Sequence, residues 1–267
     1  MRYFMELRYD GTAYCGWQRQ VSSPSVQQTL ESALSTLLRR EIETTGAGRT
    51  DTGVHAAYYV THFDVDSEII STDDLCYHLN SVLPRDIAVM SLTRVDDSVH
   101  ARFDAVRREY RYRIENEKNP FAVRSAWQYS GHLDWDTMNA AAARLLKYDD
   151  FTSFAKLNSN NKTNLCHIFE ARWHTDESGA VFVFSADRFL RNMVRAVVGT
   201  LVDVGRGRLS VEQFDEIVAA HDLSRSSGSA PAQGLFLYDI LYPADVFIRK
   251  WRRNDSGPLA PPTLCDM

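Results

Sequence analysis

From Met1 to Asp10 apolar and polar residues alternate, the period of a strand with two unlike faces, and a first strand is predicted at about 3–10. Asp10-Gly11 opens a loop that runs through the aromatic stretch Tyr14-Cys15-Gly16-Trp17-Gln18. The period then changes. Val26, Leu30, Ala33, Leu34, Leu37 and Leu38 recur at helical spacing behind Pro24-Ser25, and Ser25 followed by Gln28 reads as a capping box. A short strand near 41–45 leads into a glycine-rich loop, and a longer strand covers about 56–65. A helix from about 72 to 82 stops before Pro84, and strands follow at about 87–95 and 101–115. In the last of these, Tyr110-Arg111-Tyr112-Arg113-Ile114 predicts one aromatic and one cationic face.

The polar segment Glu115–Pro120 marks a hinge. Beyond it the pattern predicts an Ala-rich helix from Trp135 to about Lys147 and strands at about 165–175 and 180–187, joined at Asp176-Glu177-Ser178-Gly179. Helices at about 189–203 and 211–220 follow, the second with Ser210 and Gln213 as a capping box. Gly234–Leu241 closes the fold as a strand, and the tail beyond Trp251 carries no periodicity. Paired strands with interspersed helices in two halves define an α+β architecture of two subdomains rather than strict βαβ repetition.

A chain of 267 residues with 44% hydrophobic and 24% charged residues has an ordinary globular composition. No apolar run approaches the roughly 20 residues that a membrane span needs, and the N-terminus lacks the layout of a signal peptide. Cys15, Cys76, Cys166 and Cys265 are too far apart for a Cys-x-x-Cys site, and free thiols in a reducing compartment are expected, so the cytoplasm is the expected location. The net charge of −5 argues against binding nucleic acid by overall charge. Its distribution points the other way. Arg102, Arg107, Arg108, Arg111 and Arg113 form one cluster; Arg188, Arg191, Arg195, Arg206 and Arg208 a second; Arg249, Lys250, Arg252 and Arg253 a third. Such segregation permits a basic groove on an acidic protein, although several independent solvated faces would read the same way.

The most distinctive chemistry lies in Gly46-Ala47-Gly48-Arg49-Thr50-Asp51-Thr52-Gly53-Val54-His55-Ala56, where one carboxylate sits in a glycine-flanked loop two residues after an arginine. Asp51 is either a turn aspartate or a reacting group. Gly48 and Gly53 have the spacing of a phosphate loop, but Val54-His55 stands where Lys and Ser/Thr are needed. The third glycine of a dinucleotide fingerprint is missing, no Ser lies in a nucleophile elbow, and no second carboxylate accompanies Asp51. What remains is one carboxylate, arginines, and aromatics interleaved with cations, a set suited to an enzyme acting on a base within RNA. A non-catalytic RNA-binding module and a small-substrate hydrolase are the competing readings.

Gly48-Arg49-Thr50-Asp51-Thr52-Gly53-Val54-His55-Ala56 closely resembles the signature of the TruA family of tRNA pseudouridine synthases. Further blocks resemble the same family in order, from about residue 7 to about 243. They are Tyr9-Asp10-Gly11-Thr12-x-Tyr14-x-Gly16-Trp17-Gln18, His100-Ala101-Arg102-Phe103 with Tyr110-Arg111-Tyr112, Asp150-Phe151-Thr152-Ser153-Phe154, Phe189-Leu190-x-x-Met193-Val194-Arg195 with Val198-Gly199-Thr200, and Ala230-Pro231-Ala232-x-Gly234-Leu235. Thr52 departs from many relatives, which carry a smaller or different residue there. The resemblance implies two related, RRM-like or ferredoxin-like α/β subdomains forming an extended, mainly antiparallel sheet with a cleft between them. Their expected bounds are 1–105 and 106–245, followed by a tail at 246–267. It implies isomerisation of uridine to pseudouridine at positions 38, 39 and 40 of the tRNA anticodon stem-loop, by a homodimer that uses no metal and no organic cofactor. It implies Asp51 as the catalytic carboxylate, Arg195 as its partner, and Tyr110 packed on the flipped uracil. Arg49 would assist base flipping, and Arg108 and Arg191 would bind substrate.

Overall fold

The alternation that begins the chain produces β1 (Arg2–Tyr9), and the helical stripe behind Ser25 produces α1 (Val26–Leu38), whose first turn is capped by Ser25 accepting the Gln28 N–H at 3.2 Å. The computed structural model describes residues 1–156 and 162–250. Its chain divides into two compact units, one formed by Met1–Val106 together with the chain from Leu237 on, the other by Arg107–Phe236.

In the first unit β2 (Thr44–Gly46), β3 (His55–Asp64), α2 (Thr72–Val82) and β4 (Ile87–Val95) follow α1. The strand order is β4-β1-β3, with β2 on the C-terminal half of β3, and all these pairs are antiparallel. Tyr3, Met5, Leu7 and Tyr9 are buried on one face of β1, and Phe4 and Glu6 on the other. Phe4 meets Tyr242 at 5.4 Å and Phe247 at 5.1 Å between ring centroids. The same C-terminal segment explains how Glu6 can be fully buried. Its carboxylate accepts from the Tyr58 hydroxyl at 2.8 Å, the Ser91 hydroxyl and the Lys250 N–H at 3.2 Å, and the Arg249 guanidinium lies 4.0 Å away, 3.6 Å above the Tyr58 ring.

The second unit holds β5 (Arg107–Glu115), β6 (Trp127–Gln128), α3 (Trp135–Arg144), β7 (Ile168–Asp176), β8 (Gly179–Ala186), α4 (Met193–Gly205) and α5 (Val211–Ala219). β5, β8 and β7 are neighbours in that order and antiparallel, while β6, which the sequence pattern does not announce, runs parallel to β5. The last strand, β9 (Leu235–Leu241), starts in this unit and passes into the first at Leu237. The architecture is therefore α+β with mostly antiparallel pairing.

Several boundaries differ from the sequence expectation. The expected second subdomain ran to 245, but the chain from Leu237 packs with the first unit, because Tyr242 and Phe247 bury against Phe4 and Arg249 compensates Glu6. Of the expected tail, residues 251–267 lie outside the described residues. β5 begins at Arg107 rather than 101, because His100–Asp104 closes into a turn in which the His100 N–H donates to Asp104 at 2.7 Å and the Asp104 N–H returns to the His100 carbonyl at 3.1 Å. α4 begins at Met193 rather than 189, since Asn192 takes a left-handed backbone at φ 66°. The cationic face of β5 is also not what alternation alone implied. Arg107 and Arg111 both bind Glu109, at 3.1 and 2.9 Å, and Arg113 binds Asp176 with Glu115 3.8 Å away, so the arginines belong to a half-buried ion-pair ladder.

Arg249→Ala leaves Glu6 buried without its cation, and the unfolding free energy is expected to fall by about 3–5 kcal/mol, measured by urea denaturation. A second expectation concerns His62, whose Nδ1 accepts the Ala101 N–H at 3.1 Å. Burial, reinforced by Arg2 and His100, pushes its imidazole down to about 4. Folding thus favours the neutral ring. Stability from this group is intact above the unfolded value near 6.5 and is lost as pH falls from there towards 4, by up to about 2 kcal/mol between pH 7 and pH 5. His62→Asn should flatten that part of the stability–pH curve; an unchanged slope would show that other groups set it.

Candidate active site

Asp51 lies in the connection between β2 and β3, and that connection rests on a stack of aromatic rings. Trp17 and Tyr59 stack at 4.1 Å, and Tyr9 meets Tyr59 edge-on at 5.7 Å. From this base the Tyr9 hydroxyl pairs with Thr50 Oγ1 at 2.8 Å and the Tyr59 hydroxyl donates to the Gly48 carbonyl. Backbone bonds add to the grip. Trp17 N–H donates to Thr50 O at 3.3 Å, Gly53 N–H to Tyr14 O at 3.2 Å, and Val54 N–H closes a turn on Asp51 O at 3.1 Å. Thr50 is buried, Asp51 half-buried, and Arg49 and Thr52 exposed.

Glycine is required where the two segments touch. A Cβ on Gly16, at φ +89°, would stand 2.3 Å from Thr50 O and 3.2 Å from the Asp51 carbonyl carbon. One on Gly11 would stand 2.0 Å from Val54 O. Beside this contact His55 Nδ1 lies 3.1 Å from the Gly11 N–H and 3.0 Å from Asp10 Oδ1. Burial opposes ionisation of Asp10, but hydrogen bonds from His55 and Thr12 outweigh it and hold that carboxyl well below the usual range. The block Tyr9–Gln18 is thus the cradle of the Asp51 loop. Sequence reasoning gave it no physical role and missed Tyr9, Trp17 and Tyr59 as supports; the aromatics on either side of Gly16 were the available signal.

Tyr110, Arg108, Arg191 and Arg195 belong to the second unit. Tyr110 is buried on β5 and meets Phe189 edge-on at 5.0 Å. Arg108 Nη1 donates to Asp187 O at 2.7 Å, which ties β5 to the end of β8. Arg195, on the first turn of α4, is held by residue 230 in both directions. Its Nε donates to Ala230 O at 2.7 Å and its carbonyl accepts the Ala230 N–H at 2.9 Å. That contact depends on Gly199, where a Cβ would stand 1.9 Å from Gly228 O, and on Thr200, whose Oγ1 accepts the Ser227 N–H at 3.1 Å. Val198-Gly199-Thr200 and Ala230-Pro231 are therefore two halves of one clamp on Arg195. Arg191 is exposed just ahead of α4.

The basic clusters separate into structural and surface members. Arg206 pairs with Asp203 at 3.3 Å and lies over the Tyr129 ring at 4.6 Å, and Arg249 is committed to Glu6 and Asp239. Arg252 and Arg253 lie outside the described residues. Among the described residues no group of three His, Cys, Asp or Glu side chains is arranged to hold a metal ion, and no helix is long and apolar enough to cross a membrane.

The fold is α+β, its first unit presents the Asp51 carboxylate on a glycine-flanked loop, and its second unit holds a clamped Arg195 and a buried Tyr110. The family profile described as tRNA pseudouridine synthase matches residues 7–104 and 141–243. The chain is 46% identical over 263 residues to tRNA pseudouridine synthase A of Bacteroides thetaiotaomicron, covering 97% of each chain. It is 48% identical over 247 residues to the enzyme of that name from Bacteroides fragilis, covering 92% of this chain and 98% of the relative. Against that of Shewanella denitrificans it is 39% identical over 253 residues, covering 94% and 96%. The chain belongs to the tRNA pseudouridine synthase family, isomerases that convert uridine in tRNA to pseudouridine.

Gly16→Ala should displace the Asp51 backbone. The expected result is a loss of about 1–3 kcal/mol in stability and a fall in pseudouridine formation of more than about tenfold at saturating tRNA. Gly48→Ala, whose Cβ enters open space in the same loop, should change stability by less than about 0.5 kcal/mol. Equal behaviour of the two variants would show that the Gly16 contact does not position Asp51.

Proposed function

We propose that this chain forms pseudouridine at positions 38, 39 and 40 of the tRNA anticodon stem-loop, as a cytoplasmic homodimer, with Asp51 as the catalytic carboxylate. The observation that carries this reading is the presentation of Asp51. Its loop is fixed to the Tyr9–Trp17–Tyr59 floor by side-chain and backbone hydrogen bonds, far more restraint than a surface turn requires. The order β1-α1-β2-β3-α2-β4, with antiparallel neighbours β4-β1-β3-β2, supports the further reading of the first unit as RRM-like.

The reaction moves one glycosidic bond. C1′–N1 breaks, the released uracil turns, C1′–C5 forms, and the C5 proton leaves while N1 gains one. A base stacked in a stem must first leave the stack, at a cost of a few kcal/mol. Asp51 performs one of three acts: attack at C1′, attack at C6, or removal of a ribose proton. Each requires the ionised carboxylate, which a cation favours. In this reading Arg195 supplies that charge, and its clamp by Ala230 means the guanidinium needs no reordering when substrate arrives. Tyr110, its ring set by Phe189, packs on the flipped uracil. Arg49, exposed beside Asp51, holds the emptied stack, and Arg108 and Arg191 contact the substrate backbone.

With tRNA tritiated at uridine C5, the wild type should release tritium. Asp51→Ala should lower release by about 10²–10⁴-fold or more while tRNA affinity and thermal midpoint stay near wild type. Release that survives the substitution would remove Asp51 from the chemistry.

A further inference from the structure

Two polar side chains of α1 are buried between the segments that border the Asp51 loop. Gln27 is 8% exposed and Glu31 6%, one helical turn apart, on a helix whose Val26, Leu30 and Leu34 already supply an apolar face. Every hydrogen-bonding position of the Gln27 amide is filled. Its Oε1 accepts from Gln18 Nε2 at 2.8 Å and from the Arg19 N–H at 3.0 Å, and its Nε2 donates to Thr44 O at 2.8 Å and to Glu31 Oε1 at 3.0 Å. The same Glu31 oxygen accepts the Thr44 N–H at 2.9 Å and the Thr44 hydroxyl at 3.1 Å, while Arg19 Nη1 lies 3.5 Å from Oε2. The backbone adds one more tie, from the Gln27 N–H to Trp17 O at 3.0 Å.

We infer that Gln27 and Glu31 are positioning residues for the isomerisation, holding Trp17–Arg19 and the start of β2 in one register and through them the Asp51 loop. The inference rests on the reading of Asp51 as the catalytic carboxylate and adds residues that act through its floor. The two gripped segments are the ones on which the loop depends. Trp17 N–H donates to Thr50 O, one residue before Asp51, and β2 ends at Gly46, where the loop begins. Their contact has no slack, since a Cβ on Gly46 would stand 2.6 Å from Trp17 Cε2 and 2.1 Å from the Tyr59 hydroxyl. A slip of β2 against Trp17 therefore displaces the loop at its entry and at its floor together. Stability gives no reason for the choice of residues, because apolar side chains of similar volume often replace a buried polar pair without loss. Directional bonds do what apolar packing does not: they select one register among several that pack alike.

The test uses the full chain and full-length tRNA tritiated at uridine C5. Gln27→Met combined with Glu31→Met keeps side-chain volume and removes every side-chain bond from α1 to Gln18, Arg19 and Thr44. In this double variant kcat should fall about 10- to 100-fold with tRNA Kd within about twofold of wild type. The amides of residues 46–54 should exchange with solvent at least about tenfold faster. Glu31→Gln keeps an oxygen for Thr44 and Gln27, and its kcat and loop exchange should stay within about twofold of wild type. Gln27→Met alone leaves Glu31 on Thr44 should the double variant fail to fold, as its thermal midpoint would report, and the same fall in kcat is expected of it. Wild-type kcat in a folded double variant would overturn the inference, since the network would then serve the fold alone. So would a raised Kd with kcat preserved, which would assign the network to the tRNA-binding surface. Loss of kcat in Glu31→Gln would also overturn it, because the bonds to Thr44 and Gln27 remain there. Loop exchange is read without any chemistry, and Asp51→Ala decides the role of Asp51 separately, so a failure of that reading is told apart from a failure of this one.

Discussion

A backbone-to-backbone contact that only glycine permits holds the Asp51 loop in place. The segment from Gly11 to Trp17 lies so close against residues 50–54 that a methyl group on Gly11 or Gly16 would enter the van der Waals space of Val54 or Thr50. Everything attributed to Asp51 depends on this closeness, because it converts a turn that would sample many conformations into one with a fixed floor. The aromatic rings beneath supply area and hydroxyls, and the hydroxyls select one loop backbone. Arg195 is held by the same device in the second unit, where Gly199 lets the 228–230 segment lie directly on α4. Two candidate site residues, Asp51 and Arg195, one in each unit, thus have their backbones positioned by glycine contacts.

Charge burial supplies a second organising constraint. Glu6 is fully buried and would be intolerable there without Tyr58, Ser91, Arg249 and the Lys250 amide. This is why the chain after β9 returns to the first unit. On β5 the same logic neutralises arginines that looked available for phosphate. Glu109 serves Arg107 and Arg111 together, and Arg113 has Asp176. A cluster of arginines in sequence is therefore a poor guide to a basic surface when acids at period-two spacing share their face. Arg49, Arg102 and Arg191 are exposed and lie outside the strands.

The regular elements were legible because their physics is local. α2 falls at Thr72–Val82 and β4 at Ile87–Val95, where the stripe, the cap and Pro84 placed them. The capping box at Ser210 and Gln213 forms with both of its bonds. Elements defined by tertiary partners were not legible. β6 is two residues long and exists because Trp127 and Gln128 pair with β5. His100–Asp104 reads as strand by composition, but Ala101 is taken out of extended pairing by His62 and Tyr242. For the site, the glycine loop identified Asp51 as a group of interest, and the ordered blocks of resemblance named Arg195 and Tyr110. Neither route revealed why Tyr9, Trp17, Gly16, Gly199 or Ala230 should accompany them.

By itself the sequence determined the periods, caps and turn residues, and with them most of the succession of strands and helices, and it singled out Asp51 as the candidate carboxylate. Those properties depend on neighbours within a few positions, so they survive reading along one dimension. The tertiary structure alone decided which charges are buried in pairs, to which unit the last strand delivers the chain, and what fixes the Asp51 loop and Arg195. Tyr9 and Thr50 are 41 positions apart, Arg195 and Ala230 are 35, and Lys250 and Glu6 are 244. Contacts at such separations arise from packing, and no local pattern encodes them.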